Sequence, residues 1–236
     1  MGAVCNLYES QVLREITGPA IRPGGLALTE RALQFCRLPA GAPVLDVGCG
    51  SAETVSHLRC CHDLQALGLD LSSTLLGEAR RRSPRPPVIQ ARAEVLPVAD
   101  GQLAALFCEC VLSLLMTPEA ALMEFYRVLG PGGCIVVSDI YLKTAPTAGC
   151  RPSGGKCCLN GAVDRFTVLD RVHGAGFEVL LFEDHTPLLR QLAAQLVWAH
   201  GSLTAFWANA GLDCETAKPW RGRSGYYLMV AVKSQC

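Results

Sequence analysis

A short apolar run that leads directly into a glycine turn constrains this chain more than any other feature. Residues 44–47 have the composition of a buried strand, and Gly48 and Gly50 follow at once. The next apolar run ends on a carboxylate, Asp70, 24 positions after Asp46. Glycines allow the backbone to approach a ligand closely, and an acid can accept hydrogen bonds from both ribose hydroxyls. The pattern therefore predicts a nucleotide-like ligand.

The residue at position 53 narrows the kind of ligand. A dinucleotide-binding turn carries a third glycine there, whereas this chain has Glu53. The peptide dipole at a helix start favours an anion of the ligand. A side-chain carboxylate at that position repels a diphosphate and so opposes its binding. A cofactor without phosphates therefore fits better. Taken alone, the turn is also compatible with an ordinary strand-to-helix connection that binds nothing.

Strand-like and helix-like segments alternate along the chain and predict its fold class. The predicted strands lie at residues 44–47, 65–70, 87–91, 104–108, 133–138, 177–183 and 225–233. A long helix is predicted over residues 188–210. Such alternation predicts an α/β protein with a doubly wound, mostly parallel seven-stranded sheet and helices on both faces. Ligands of such sheets bind beyond the carboxyl ends of the strands.

Four ordered segments make the predicted ligand more specific. They are the glycine turn at 46–51, the strand end at 67–72, the loop at 93–100 and the helix and turn at 124–133. Together they resemble class I S-adenosylmethionine-dependent methyltransferases of the type 11 group. The resemblance implies a Rossmann-like methyltransferase fold whose last strands form an antiparallel edge. It also implies S-adenosyl-L-methionine as the cofactor.

The resemblance and the side-chain chemistry together predict the cofactor site. Asp70 can accept from the ribose hydroxyls, and the Arg22 guanidinium can pair with the cofactor's carboxylate. Members of the family commonly carry an acid where this chain has Arg92, so Glu94 is the predicted substitute partner of the adenine. The full predicted set is Tyr8, Arg22, Asp46, Gly48, Cys49, Gly50, Asp70, Leu71, Ala93, Glu94 and Glu109.

The methyl acceptor is predicted from the cysteines, of which the chain has 13. In a reducing compartment they do not form a disulfide framework. Several fit strands and turns as small hydrophobes, namely Cys49, Cys108 and Cys134. Residues 109–112 and 158–162 resemble two segments of arsenite methyltransferases, which implies that Cys110 and Cys158 bind the acceptor. A further upstream cysteine segment of that family has no counterpart here, so a thiophilic acceptor and an ordinary carbon, oxygen or nitrogen acceptor both stay open.

Other candidate residues concern proton transfer and metal binding. The candidate general bases for a hydroxyl or carbon acid are the histidines of the later half, His173, His185 and His200. Cys150, Cys157 and Cys158 lack the paired Cys-x-x-Cys spacing of zinc sites. No metal site is therefore predicted.

Length and the 50% hydrophobic content predict a single domain over residues 1–236, and the resemblance implies that it is a methyltransferase domain. It divides into an N-terminal helical cap at 1–40, a cofactor-binding core at 41–140, and a loop, helices and edge strands at 141–236 that cover the substrate side. The 21 basic and 21 acidic side chains balance, which argues against a nucleic-acid partner. The longest apolar stretch is too short for a membrane span, so no membrane partner is expected.

The sequence thus predicts a cytoplasmic methyltransferase that acts on a small molecule, with its oligomeric state left open. The alternative is a non-catalytic S-adenosylmethionine-binding partner or regulatory protein. Ala52 and Arg92 are the departures from the family pattern that such a protein would carry.

Overall fold

The chain forms a seven-stranded sheet in the computed structural model, which describes residues 7–9, 11–144, 158–209 and 222–234. The strands are β1 Pro43–Val47, β2 Gln65–Asp70, β3 Val88–Gln90, β4 Leu103–Glu109, β5 Leu129–Leu142, β6 Phe177–Asp184 and β7 Ser224–Lys233. Their order across the sheet is β3-β2-β1-β4-β5-β7-β6.

The strand directions confirm the predicted doubly wound sheet. Strands β1 to β5 pair in parallel with one another. Strand β7 lies between β5 and β6 and runs antiparallel to both. The antiparallel edge thus consists of one reversed strand, which continues the sheet from β5 to β6.

Eight α-helices accompany the sheet in the described part of the chain. They are α1 Gln11–Thr17, α2 Gly25–Cys36, α3 Glu53–His62, α4 Ser73–Ala79, α5 Pro118–Val128, α6 Arg165–Gly174, α7 Thr186–His200 and α8 Leu203–Asn209. Short 3-10 turns occur at Leu7–Glu9, Leu112–Leu114 and Cys158–Gly161.

Two element boundaries differ from the sequence prediction. The single helix predicted over 188–210 is two helices, because Gly201 takes a φ of 77° at the end of α7, which lies outside the helical region. Position 210 itself lies outside the described residues. The strand predicted at 133–138 extends over Leu129–Leu142, since Leu129 already pairs with Leu103 ahead of a register shift.

The core has one layer on each face of the sheet, because alternate residues of a strand point to opposite faces. On one face, Phe107 and Tyr226 belong to the cluster that includes side chains of α2, α3 and α4. On the other face, Leu106 and Tyr227 belong to the cluster that includes side chains of α5 and α6. The alternation in β4 and β7 thus separates two helical layers.

The carboxyl ends of three neighbouring strands place the candidate site. Strand β1 pairs with β2 on one side and β4 on the other, with Val47 opposite both Leu69 and Cys108. The residues that follow therefore emerge at one edge of the sheet. The strand order reverses at β1, and ligands of α/β sheets bind at such a reversal.

Two substitutions on α5 test the assignment of its buried face. Phe125 is fully buried, whereas Met123 on the same helix is 56% exposed. Phe125→Ala leaves a cavity in the core and is expected to lower the free energy of unfolding by about 3–5 kcal/mol. Met123→Ala is the matched control and is expected to change it by less than about 0.5 kcal/mol. Urea denaturation measures both, and equal effects would contradict the assignment.

Candidate active site

The glycine turn after β1 has a backbone that excludes larger residues. Gly48 and Gly50 have φ values of 74° and 55°, and the Gly48 amide donates to the Leu69 carbonyl oxygen at 2.7 Å. A Cβ at position 48 would lie 2.2 Å from Val111 Cγ2. Glycine is therefore required at position 48 by both conformation and space.

Asp70 is held at the end of β2 by the same turn. Its Oδ2 accepts from the Gly50 amide at 2.8 Å, and its Oδ1 accepts from the Ser72 amide at 2.8 Å. Each carboxylate oxygen keeps acceptor capacity for a further donor, as binding of two ribose hydroxyls requires. Burial raises the pKa of this carboxyl above its ordinary value, so donors from a ligand would stabilise its charged form.

A buried ion pair closes the inner wall of the site. Glu109 ends β4, and its Oε2 lies 2.9 Å from Arg22 Nη2, with side-chain exposures of 2% and 8%. Thr29 of α2 and Thr54 of α3 donate to the two Glu109 oxygens at 3.0 and 3.1 Å. Arg22 Nη2 also donates to both threonine hydroxyls, at 2.7 and 3.1 Å. The pair is thus hydrogen-bonded on both sides, as a buried pair must be.

This arrangement changes the role expected of Arg22. The prediction assigned its guanidinium to the cofactor's carboxylate, whereas Nη2 is engaged with Glu109 and the threonines. Arg22 Nε is buried and has no hydrogen-bond partner among the described residues. Among the described residues, the Arg22–Glu109 pair thus leaves this one N–H of the guanidinium buried and unpaired.

The predicted cofactor residues line one cavity of about 530 Å³, within the range of small-molecule sites. All eleven are on its wall, and so is Cys110. The other residues that line it are Glu9, Pro19, Ala20, Ile21, Val47, Ser51, Glu53, Thr54, Leu69, Ser72, Leu75, Ala91, Arg92, Val111, Leu114, Leu115 and Met116. The glycine turn with its neighbouring acids and the apolar segment from Val111 to Met116 thus line the same cavity.

Asp46 is the acid of the site with the strongest response to burial. It is 3% exposed, on β1 at the cavity wall. Burial first, and the neighbouring Glu109 second, raise its pKa to about 8. Near neutral pH the carboxyl holds its proton unless a cation approaches, and a cationic ligand would stabilise the charged form.

Cys110 lies at the cavity with an unusual backbone. Its φ is 59°, and its amide donates to the Ser138 carbonyl oxygen at 2.7 Å. The thiol Sγ lies 3.1 Å from Tyr226 Oη, which donates in turn to Ser138 Oγ at 3.1 Å. Burial raises the pKa of the thiol well above its ordinary value. Cys110 is therefore a neutral thiol in the protein alone.

Cys158 is not among the residues that line the cavity. It begins the Cys158–Gly161 turn, which packs against the Leu112–Leu114 turn so closely that a Cβ on Gly161 would lie 2.0 Å from the Ser113 carbonyl oxygen. Cys110 thus lines the cavity, whereas Cys158 packs against the core cluster that contains Cys110 and does not line the cavity. Cys150 and Cys157, the other thiols of the predicted loop, lie outside the described residues.

The predicted adenine side is more open than the ribose side. Leu71 is 52% exposed, and Arg92 Nη2 lies 3.4 Å from Glu94 Oε1. Glu94 is thus at the wall, as predicted, but shares its carboxylate with the arginine that replaces the family's acid.

The three candidate histidine bases lie away from the cavity. His173 is in the last turn of α6, and His200 ends α7. His185 Nε2 lies 3.0 Å from Glu183 Oε2. None of them is among the cavity-lining residues, so the structure does not place a predicted histidine base at the cavity.

Four polar residues of the site were not predicted. Thr29 and Thr54 bind the ion pair, and Ser138 and Tyr226 form the chain of hydrogen bonds to Cys110. Sequence gives little signal for them, because their bonds to Glu109, to Cys110 and to each other span 55 to 116 positions. The position of Thr54, just after the glycine turn, was the only local indication.

The sheet order, the glycine turn and the acid at the end of β2 define a class I S-adenosylmethionine-dependent methyltransferase domain. Residues 45–137 match the family described as methyltransferase domain. The cofactor of the domain is S-adenosyl-L-methionine.

Three comparisons illustrate how the chain relates to other proteins. It is 32% identical over 114 residues to a malonyl-[acyl-carrier protein] O-methyltransferase of Enterobacter lignolyticus, covering 48% of this chain and 45% of that protein. It is 26% identical over 156 residues to an arsenite methyltransferase of Halobacterium salinarum, covering 62% and 40%. The crystal structure of the [4+2]-cyclase SpnF matches with a TM-score of 0.76 at 22% identity, covering 98% and 94%.

The matched relatives are longer than the part of them that this chain covers, and the structural match concerns the fold. The chain spans about half the length of the curated relatives it matches. At 22% identity, the cyclase shows that the fold is shared. Separately, none of the helices in the described ranges combines the length and the apolar character that crossing a membrane requires.

Glu109→Gln tests the buried ion pair. The substitution leaves the Arg22 charge buried without its counter-ion and is expected to lower the free energy of unfolding by about 3 kcal/mol. Glu119→Gln is the control, since Glu119 pairs with Arg171 at 2.7 Å but is 60% exposed, and its expected cost is less than about 1 kcal/mol. Urea denaturation compares the two, and similar small losses would refute a structural role for the pair.

Asp46→Asn tests the buried acid through pH. Because the pKa of Asp46 in the folded protein is about 8, the folded state holds a proton that the unfolded state releases above about pH 4. The free energy of unfolding should therefore fall as pH rises from about 4 to about 8. Asp46→Asn should remove this part of the slope.

The measurement is urea denaturation of both proteins at a series of pH values. Asp170→Asn, at an exposed position of α6, serves as the control of equal charge change and should leave the slope in place. A difference between wild type and Asp46→Asn that does not vary with pH would contradict the assignment.

Proposed function

We propose that this chain transfers the methyl group of S-adenosyl-L-methionine to a small-molecule acceptor. The observation that carries the proposal is the single cavity in which the cofactor residues meet the segment from Cys110 to Met116. A cofactor and an acceptor that share one cavity can be held with their reacting atoms together. Such positioning supplies a large part of the rate enhancement in displacement reactions.

The residues present fit the cofactor's chemistry. Asp46, Asp70 and Glu94 make one part of the wall acidic, which favours a ligand that carries an ammonium and a sulfonium group. Asp70 has acceptor capacity left for ribose hydroxyls. Glu53 faces the same cavity and opposes a phosphate group.

When bound, S-adenosyl-L-methionine supplies a methyl group on a sulfonium centre, which a nucleophile attacks directly. Asp46, Asp70 and Glu94 would hold the cofactor so that this methyl group could be transferred to the acceptor. The chain's own contribution is to orient the two partners and to exclude water. Val111, Leu114, Leu115 and Met116 provide the apolar surface for this.

The finer proposal is that the acceptor is thiophilic, such as arsenic, selenium or a thiol, with Cys110 as its contact. Its support is the position of Cys110 on the cavity wall and the match to an arsenite methyltransferase. A soft sulfur ligand suits a soft acceptor atom. Binding would require the neutral Cys110 thiol to release its proton, with Tyr226 Oη at 3.1 Å as the adjacent hydrogen-bond partner.

An ordinary acceptor is the competing proposal. It is supported by the raised pKa of the Cys110 thiol and by the absence of Cys158 from the residues that line the cavity. The match to a malonyl-[acyl-carrier protein] O-methyltransferase supports it as well. In this case the acceptor rests on the apolar segment after β4. The neutral Cys110 then serves as a packed hydrogen-bonding group.

A role in binding alone is the proposal from another functional class. The [4+2]-cyclase shares the fold, which illustrates that this architecture is not restricted to proteins named as methyltransferases. Under this proposal the chain would bind the cofactor and produce no S-adenosylhomocysteine.

An acceptor panel with two cysteine variants separates these proposals. The purified chain is incubated with S-adenosyl-L-methionine and arsenite, a thiol, a hydroxy compound or a quinol, and S-adenosylhomocysteine is measured. If the acceptor is thiophilic, Cys110→Ser should lower turnover at least about tenfold on the arsenite and thiol arms, because serine replaces a soft ligand by a hard one. Cys158→Ser should have the same effect only if that thiol reaches the acceptor.

Cys60→Ser is the control, because Cys60 is exposed on α3. Turnover that is indifferent to both variants would remove the thiophilic proposal and leave the ordinary acceptor. Cofactor binding by calorimetry with no product on any arm would overturn the enzyme proposal in favour of binding alone.

A further inference from the structure

A cluster of two imidazoles and a carboxylate connects α2 to α3 away from the cavity. Glu30 lies on α2, and His57 and His62 lie on α3. The Nε2 atoms of both histidines contact the same oxygen, Glu30 Oε1, and that of His62 does so at 2.6 Å. The two rings meet edge to face with centroids 5.3 Å apart.

We propose that Glu30, His57 and His62 form a binding site for a divalent transition-metal ion of the Zn²⁺ class. Their ligand atoms all lie within 4.8 Å of one another, and within the described ranges no other group of three His, Cys, Asp or Glu side chains meets this condition. The site is distinct from the cavity, since none of the three residues lines it. It does not depend on the proposed methyl transfer.

The ligand set suits this class of ion. Zinc binds imidazole nitrogen and carboxylate oxygen at 2.0–2.2 Å, so that neighbouring ligands of a tetrahedral site lie about 3.3 Å apart. Atoms that already converge within 4.8 Å reach that spacing by small side-chain rotations. Two imidazoles and one carboxylate leave the fourth position to a water molecule. All three side chains are partly exposed: His57 by 18%, His62 by 29% and Glu30 by 45%. An ion can therefore enter from solvent.

The hydrogen bonds of the metal-free cluster already point the three ligand atoms at one another, so that a metal ion can take the place of the protons between them. Glu30 Oε1 accepts from the Nε2–H groups of both His57 and His62. The carboxylate is thus already turned toward both nitrogens. A metal ion would replace the shared protons between the same three atoms.

The position of the cluster links it to the structure around the cavity. Thr29 precedes Glu30 on α2, and Thr54 lies one turn before His57 on α3. Both threonines bind the Arg22–Glu109 pair. An ion that ties α2 to α3 would therefore fix the spacing of the two helices that hold this pair.

The test uses the full chain with Cys60→Ser and Cys61→Ser, because these two exposed thiols on α3 could themselves bind zinc. Calorimetric titration with Zn²⁺ should detect a site that is weakened by Glu30→Gln and by His57→Ala. Loss of an outer-shell partner lowers metal affinity about 10–100-fold. Each of these substitutions removes a direct ligand, so we expect a larger loss of Zn²⁺ affinity. The Tm of the parent protein should rise with Zn²⁺ concentration, and that of the variants should not.

His173→Ala is the control, since it removes an exposed histidine from α6 and should leave Zn²⁺ affinity unchanged. Thermal unfolding without metal checks that each variant folds, and His62→Gln replaces His57→Ala if that protein does not. Unchanged Zn²⁺ affinity in folded Glu30→Gln and histidine variants would overturn the site. Co²⁺ substitution gives a second readout: a sulfur-to-metal charge-transfer band that survives the variants would assign the binding to other cysteines.

Discussion

The buried pair of Arg22 and Glu109 is the interaction on which the walls of the cavity depend. It joins the end of β4 to the segment before α2, and through Thr29 and Thr54 it also joins α2 and α3. Four separate parts of the chain therefore meet at one charged centre. Burial of a charge is costly unless it is fully hydrogen-bonded, so the surrounding elements have little freedom to shift around this centre.

Much of the fold could be predicted because its determinants are local. The apolar composition of β1, the glycines after it and Asp70 at the end of β2 each appear within a few positions of the structure they form. Long-range partners carry no such local mark. Thr29 and Glu109 are 80 positions apart, and only the folded sheet brings them together. The role expected of Arg22 changed for this reason.

The acceptor side of the cavity also shows what a sequence does not predict, namely which side chains face the cavity. Cys110 and Cys158 both stand in segments that resemble one family, yet one thiol lines the cavity and the other begins a turn that does not line it. Residue type is visible in a sequence, whereas the direction of a side chain depends on backbone such as the φ of 59° at Cys110. The break at Gly201 was missed because apolar spacing continues on both sides of it.

The position of β7 between β5 and β6 has a consequence for how the chain is made. Strand β6 is synthesised before β7, but it joins the sheet only through β7. While a ribosome completes the residues up to 233, β6 has no strand to pair with, whereas β1 to β5 can already assemble. Domains tend to fold as their parts emerge, so the nascent chain passes through a stage in which the strand edges of β5 and β6 are both open, and such edges favour association with other chains.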